Sequence, residues 1–174
     1  MQSWHTTYLG LRELPREIST FELQSFFTYS RTERDRSNAH KLGLALHIGF
    51  LRLSGRLLNS VRIVPTTLWR HLGDEIGITA VELASLRALY VRGRTLFDHQ
   101  QLACDVLGFH WMTEHQRRAL VRTLRDEVAR CADRDQLLVF ARRWLYQSKI
   151  LILRDRDIRV LVTAALGQLE EETA

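Results

Sequence analysis

The sequence predicts an all-α protein, a compact bundle of about eight or nine helices that contains helix-turn-helix-like pairs. Pro and Gly are scarce, with 2 and 9 residues in a chain of 174, so the frequent turns of a β-protein are missing. Several segments begin with Ser or Thr three residues before Glu, Asp or Gln, and such pairs satisfy backbone N–H groups at a helix start. The later segments also repeat apolar residues at helical spacing.

Helix boundaries follow from these start signals and from glycines at the ends. Capping boxes are predicted at Ser19/Glu22, Ser30/Glu33, Thr79/Glu82 and Thr113/Gln116, with a looser one at Thr95/Asp98. Pro65 suits a first helical turn. Glycines 55, 77, 93 and 108 are placed just after helix ends, where a left-handed residue is needed. The predicted helices are 20–28, 31–36, 39–54, 66–76, 80–91, 96–107, 114–131, 135–147 and 155–170.

Two kinds of helix are distinguished by their apolar patterns. The last three predicted helices each carry one apolar stripe. The stripe of 114–131 is Leu120, Leu124, Val128 and Cys131, that of 135–147 is Leu137, Phe140, Ala141 and Trp144, and that of 155–170 is Ile158, Leu161, Val162, Ala165 and Leu169. The helix at 39–54 has no polar face and is predicted to be central, with Gly43 and Gly49 admitting close neighbours. The chain is treated as one module, with two packed subdomains at 1–92 and 93–174 as an option.

The charge distribution favours a nucleic-acid partner. The net charge is +5, and 23 of the 25 basic residues are Arg, whose guanidinium can bind one phosphate or guanine edge through two hydrogen bonds. Basic residues outnumber acidic ones by nine to five in 1–62 and by twelve to six in 115–159. Two basic zones suggest a binding footprint. The Arg content could equally reflect a GC-rich genome.

Two segments have the character of helical pairs. Residues 69–87 show helix-turn-helix spacing but expose few side chains that could contact base edges, so a structural corner is an equal alternative. Residues 92–125 place Arg92 and Arg94 before a helix N-terminus, a good phosphate site. The other polar candidates in this segment are His99, Gln100 and Gln101, and then Arg118, Arg122 and Arg125 on one helix face. A solvated face with local ion pairs is the alternative.

Enzyme signatures are weak, and no catalytic residue, metal or cofactor is expected. Cys104, His110, His115 and Cys131 lack the spacing of zinc ligands, and Asp155 and Asp157 are expected to cap a helix and pair with Arg. His47 is interpreted as a hydrogen-bonded core histidine. Without a secretion signal or a membrane-length apolar run, the chain is expected to be cytoplasmic, with reduced cysteines and no membrane partner.

Four stretches, taken in order, resemble the N-terminal domain of transposases of the Tn-three family of replicative transposons. They are YSRTERDRSNAHKLGLALHIGFLRLSGRLL, VPTTLWRHLGDEIGI, RGRTLFDHQQLACDVLGF and FARRWLYQSKILIL, and the resemblance runs from about Leu14 to Leu169. It implies an all-helical module that binds double-stranded DNA at the terminal inverted repeats. The DDE residues that cut and join DNA belong to a C-terminal region that this chain lacks, so no enzyme activity is expected of it.

The resemblance also implies site residues. The basic and polar positions that match the family are Lys41, Arg52, Arg56, Arg94 and His99. Arg34 and Arg36 are added at one end of the apolar helix, and Arg92, Gln100, Arg117, Arg118 and Arg122 are added from the helical pair at 92–125. Arg94, His99 and Gln100 are the candidates for base contact. The segment from Arg36 to His40 departs from the family, which usually has an Arg-Arg-Gly-type stretch there.

The alternative function is docking on the remaining transposase domains or on a second transposase copy. The aromatic residues Trp4, Tyr8, Trp111 and Trp144 would suit that role if exposed, although a core position is more common for Trp.

Overall fold

A computed structural model describes residues 38–60, 64, 70, 74, 88–91, 93–131 and 133–173. Within these residues the protein is all-helical, apart from one isolated parallel β-bridge between His110 and Ile150. The helices are α1 (Asn38–Ser54), α2 (Gly93–Leu107), α3 (Glu114–Val128), α4 (Arg134–Gln147) and α5 (Asp155–Thr173). The prediction of an all-α chain is thus confirmed for the described part.

The predicted total of eight or nine helices is not matched, because the described residues contain five. The predicted helices at 20–28 and 31–36 lie outside the described residues. So does nearly all of the helix-turn-helix segment at 69–87, of which only Arg70 and Asp74 are described, both helical and exposed. Ala88 and Leu89 are helical, close to the predicted end of the helix at 80–91.

Contacts divide the chain into two compact units, with the division between Gly108 and Phe109. In the first unit α2 packs against α1; in the second, α3 packs against both α4 and α5, and α4 packs against α5. The option of two subdomains divided at 92/93 stays a prediction; in the described residues α2 lies in the first unit, where it packs on α1.

Helix α1 is buried on every side, as its uniform apolar sequence predicts. All residues from Leu42 to Leu51 are buried, and so is Leu53. The helix ends at Ser54, and the next residue, Gly55, has a φ of 68° and donates its N–H to the Leu51 carbonyl at 2.8 Å. Gly55 is needed there because a left-handed conformation is unfavourable for residues with a Cβ.

The second unit has its own apolar core. Its buried members are Leu120, Leu124, Val128, Leu137, Leu138, Ala141, Leu145, Ile150, Ile152, Ile158, Leu161, Val162 and Ala165. The predicted stripes of α3, α4 and α5 supply most of this core, with Phe140 and Trp144 packed at its edge. The predicted capping box of α3 is also confirmed, since Thr113 and Gln116 satisfy each other's backbone N–H groups.

Two boundary predictions for α2 are wrong. The helix begins at Gly93, so Gly93 opens this helix instead of following the previous one. Thr95 and Asp98 therefore lie inside α2 and do not form the predicted capping box at its start. Gly108, with a φ of 73°, does follow the C-terminus of α2 as predicted.

Candidate nucleic-acid interface

Four arginines of α3 line one open groove, which we call the arginine groove. Its basic residues are Arg117, Arg118, Arg122 and Arg125. Glu114 and Val121 of α3 and Leu161 and Ala164 of α5 complete the lining, around a volume of about 380 Å³. The prediction that Arg118, Arg122 and Arg125 share a face is confirmed by this arrangement.

Packing of α3 explains why the arginines face outward. Leu120, Leu124 and Val128 recur at helical spacing and are buried in the core of the second unit. Arg118 and Arg122 lie two residues before Leu120 and Leu124, so they point away from that buried stripe and are exposed. The capping box at Thr113 fixes the first turn, and with it the positions of Arg117 and Arg118.

The arginine groove carries an excess of positive charge. Its one acidic lining residue is Glu114, whose carboxylate lies 3.4 Å from the Arg118 guanidinium. Both side chains are largely exposed, so this pair contributes little to stability. Arg117 and Arg122 form no ion pair with any residue that the structure describes. Arg117, Arg118 and Arg122 can therefore bind an anion without first breaking a buried ion pair.

Only some of the local ion pairs that were considered as an alternative are present in the structure. Arg130 lies 3.5 Å from Glu127. Neither residue of this pair lines the arginine groove. Within the described residues, no ion pair joins Arg122 to Asp126.

The first unit holds the remaining described candidates. Lys41, Arg52 and Arg56 are partly exposed near the two ends of α1, and Arg52 and Arg56 already have interaction partners. The Arg94 side chain is 91% exposed, and its Nε lies 3.9 Å from an Asp98 carboxylate oxygen. Arg34, Arg36 and Arg92 lie outside the described residues.

His99 is not available to contact a base edge, which corrects the sequence prediction. The residue is 1% exposed, and its Nδ1 lies 2.7 Å from the Tyr90 hydroxyl. Its Nε2 lies 3.3 Å from Nδ1 of His40. Both ring nitrogens are thus engaged within the unit, and His99 holds α2 against α1.

Gln100 is likewise engaged within the protein. Its side-chain nitrogen donates to the Leu58 carbonyl at 3.0 Å and to the Asn59 side-chain oxygen at 3.1 Å. Both amide hydrogens are therefore used to tie α2 to the segment after α1. Of the three residues predicted to contact bases, only Arg94 presents an exposed donor.

His40, His47, Tyr90 and His99 form a group that we call the histidine cluster. The rings of His47, Tyr90 and His99 meet edge to face, with centroids 5.6–5.8 Å apart. Gly43 makes room for them: a Cβ at this position would overlap the Tyr90 hydroxyl and lie 3.2 Å from the His99 ring. Burial raises the pKa of the Tyr90 hydroxyl well above its usual value, so Tyr90 stays protonated.

His47 is a core residue, as predicted, but it forms no hydrogen bond with the residues that the structure describes. It is 1% exposed, and within that part of the chain neither ring nitrogen has a hydrogen-bond partner. Burial, together with the nearby charge of His99, lowers the pKa of His47 to about 3. His47 is therefore neutral at physiological pH.

The cysteines and the side chains that could bind a metal form no candidate site in the described residues. No three His, Cys, Asp or Glu side chains there are arranged to hold a metal ion. Cys104 is a buried free thiol in the first unit, and Cys131 is a partly exposed free thiol in the second. Burial, and then the charge of Asp105, raise the pKa of Cys104, so its unreactive thiol form is favoured.

Comparisons with known proteins identify the family. Residues 6–165 match the family described as "Domain of unknown function (DUF4158)". The chain belongs to the DUF4158 family. It is also 67% identical over 178 residues to the transposase for insertion sequence element IS1071 in transposon Tn5271, from Comamonas testosteroni. The alignment covers 99% of this chain and 18% of that transposase. The resemblance to a transposase is thus confirmed, whereas assignment to the Tn-three family stays a prediction.

Trp111 is an exposed feature of this DUF4158 chain that helical periodicity does not reveal. It is 68% exposed, whereas Trp144 is packed against the core of the same unit. The backbone before Trp111 is fixed, because His110 donates to the Lys149 carbonyl and accepts from Leu151 N–H. His110 is distant in sequence from Lys149 and Leu151, so no local pattern predicts this pairing.

The described helices were also compared with the dimensions of a bilayer. None of them is both long and apolar enough to cross a membrane.

Proposed function

We propose that this chain is the DNA-binding segment of a transposase and that it binds the terminal inverted repeats of its element without taking part in the cutting and joining chemistry. The arginine groove is the observation that carries this proposal. The similarity to a transposase supplies DNA as the class of partner.

Phosphate contact is the interaction that the arginine groove supports best. Arg118 and Arg122 are one helical turn apart, about 6 Å along the axis of α3. Each guanidinium can donate two hydrogen bonds to one phosphate group. Contacts of this kind fix position and supply salt-dependent affinity, but they do not distinguish one base sequence from another.

The first unit contributes further residues to the proposed set of DNA contacts. Arg94 lies in the first turn of α2, where the helix dipole also attracts anions, and its side chain is exposed. Lys41, Arg52 and Arg56 lie near the ends of α1 and remain proposed phosphate contacts, with Arg34, Arg36 and Arg92 from outside the described residues. Among the described candidates, Arg94 is proposed to contact a base edge.

The test measures how DNA affinity depends on salt. The 174-residue chain is titrated by fluorescence anisotropy against the terminal inverted repeat and a scrambled duplex over a salt series. Preference for the repeat is expected to persist at moderate salt. The slope of log K against log salt is negative. Arg118→Ala combined with Arg122→Ala should make it shallower by about 2, because each lost phosphate contact reduces its magnitude by about 0.9.

A matched control removes two charges from the same unit. Arg134 and Arg143 lie on α4, are exposed and do not line the arginine groove. Changing both to Ala should leave the slope nearly unaltered. An equal fall in slope for both double variants would mean that the arginines act only through net charge, and the proposal for the groove would be rejected.

Docking onto other transposase domains is a second candidate, and one observation favours it. An open groove of about 410 Å³ runs beside α4 and is lined by Val139, Phe140 and Cys131 among others. The exposed Val139 at this site would suit an apolar contact. Light scattering separates the candidates: a mass that rises with concentration, without any DNA binding, would support docking.

A further inference from the structure

Trp111 is exposed to an extent that is unusual for tryptophan in a folded domain. It is 68% exposed, although its neighbour Met112 packs against the core of the second unit. Tryptophan offers a large rigid ring that loses little side-chain entropy on binding, and exposed examples are typical of recognition surfaces. The question is which partner covers it.

The segment that carries Trp111 is held in place on both sides. His110 N–H donates to the Lys149 carbonyl at 3.0 Å, and Leu151 N–H donates to the His110 carbonyl at 2.9 Å. Two residues after Trp111, Thr113 caps α3. The indole therefore projects from a fixed backbone, and binding through it requires little ordering of the chain.

Basic residues lie close to Trp111 along the chain and in the segment paired with it. Lys149, whose carbonyl accepts from His110 N–H, places its Nζ 5.1 Å from the Phe109 ring centroid. Three residues after Trp111, Glu114 is the first residue of α3 that lines the arginine groove, and it is paired with Arg118. An exposed aromatic ring next to basic residues in the chain fits a nucleic acid better than an apolar protein surface.

We propose that Trp111 stacks on an unpaired or unstacked nucleobase of the DNA held by the arginine groove; this inference rests on the proposed function. The groove holds the phosphates, and the indole covers the face of a base. Every base has such a face, so stacking adds affinity for exposed bases without specifying sequence. Trp111 would thus direct the chain towards distorted or opened DNA.

Fluorescence anisotropy with two DNA probes tests this role. The first is the terminal inverted repeat as a perfect duplex, and the second is the same duplex with one unpaired base. Wild type is expected to bind the second probe more tightly. Trp111→Ala should weaken binding to that probe by roughly 5- to 150-fold, the range measured for loss of one base–aromatic stack. Trp111→Phe should retain most of the affinity.

Two further readouts separate stacking from other roles. The salt slope of Trp111→Ala should equal that of wild type, because no charge is removed. Val160→Ala, which trims an exposed apolar residue of α5 that lines neither the arginine groove nor the groove beside α4, should bind both probes like wild type. Circular dichroism of each variant verifies that the helices remain folded.

The results that would overturn the inference differ from those that reject the proposed function. Unchanged affinity of Trp111→Ala for both probes, with a steep salt slope retained, rejects stacking but leaves DNA binding by the groove in place. Loss of self-association in Trp111→Ala, without loss of DNA affinity, assigns the residue to a protein interface and also overturns stacking. Absence of DNA binding by wild type rejects both proposals.

Discussion

His47 is a polar side chain in an apolar helix. Its two ring nitrogens have no hydrogen-bond partner among the described residues, and the centroids of the Tyr90 and His99 rings lie 5.7 and 5.8 Å from that of His47. Burying an unbonded polar group costs free energy, and burying its charged form would cost more. The histidine cluster therefore makes the first unit sensitive to acid.

The pH dependence of stability follows from the pKa of His47. Burial and the charge of His99 lower this pKa from 6.5 to about 3 in the folded chain. Between these values the unfolded state binds a proton that the folded state does not. Stability is therefore expected to fall as pH drops below about 6.5, by up to about 1.4 kcal/mol per pH unit, and to level off near pH 3.

Chemical denaturation at pH 7, 5 and 4 measures this loss. His47→Leu should lose less stability than wild type over that range, because the titrating group is gone. His115→Leu, which removes an exposed histidine from α3, is the control. If His47→Leu and wild type lose stability in parallel, His47 is not the source of the acid sensitivity.

Gly43 is required by the close approach of Tyr90 to α1. Gly43→Ala should carry an overpacking cost of about 1–3 kcal/mol, because the new Cβ would displace the Tyr90 hydroxyl from its 2.7 Å contact with His99. The roughly 1 kcal/mol that Ala gains over Gly in a helix offsets part of this cost, so the expected net destabilisation is up to about 2 kcal/mol. Urea unfolding midpoints measure the difference.

Gly167 provides the matched comparison for Gly43. It lies in α5, and a Cβ there would meet nothing within 4 Å. Gly167→Ala should therefore be neutral or raise stability by up to about 1 kcal/mol. Similar effects of the two substitutions would show that helix propensity, and not the Tyr90 contact, determines the result at position 43.

At the level of helices, local signals predicted much of what the structure shows. The capping box at Thr113 and the apolar stripes of α3, α4 and α5 act within a few residues, so the sequence reveals them directly. The start of α2 was misplaced because Gly93 has the character of a helix end as well as of a start.

The candidate site was harder to predict because its decisive contacts join distant residues. His99 and Gln100 have the sequence character of a polar surface, yet His40 and Leu58 in the same unit engage them. These partners are 59 and 42 residues away in the chain. The arginine face of α3 could be predicted, since one helix defines it, whereas the fixed position of Trp111 depends on the pairing of His110 with Ile150.

A partly buried ion pair joins α4 to α5, in addition to their shared apolar core. Arg142 approaches Asp155 to 2.6 Å, and the two side chains are only 13% and 25% exposed. Asp155 lies in the first turn of α5, where the helix dipole also favours a carboxylate. The prediction that Asp155 and Asp157 pair with Arg near a helix start is confirmed, since Asp157 lies 3.6 Å from Arg154.

Removing Arg142 should cost more than removing Arg154. Arg142→Ala is expected to destabilise the chain by about 1–3 kcal/mol, because a partly buried carboxylate loses a charged partner. Arg154→Ala breaks an exposed pair and should cost no more than about 1 kcal/mol. Equal unfolding midpoints for the two variants would contradict a structural role for the Arg142–Asp155 pair.

Across the whole molecule, positive charge is shared between the two compact units. The arginine groove lies in the second unit, and Arg94 and the basic residues near the ends of α1 lie in the first. Each unit also has buried apolar residues of its own. Under the proposed function, both units would contribute phosphate contacts to the salt-dependent affinity for DNA.

The two cysteines give each unit a natural chemical reporter. Cys131, in the second unit, is partly exposed and can be reached by a thiol reagent while the protein is folded. Cys104, in the first, is buried, so a reagent reaches it only after that unit opens. The rate at which Cys104 is modified thus follows the opening of the first unit, and a label on Cys131 in the second unit can be introduced without engineering a new cysteine.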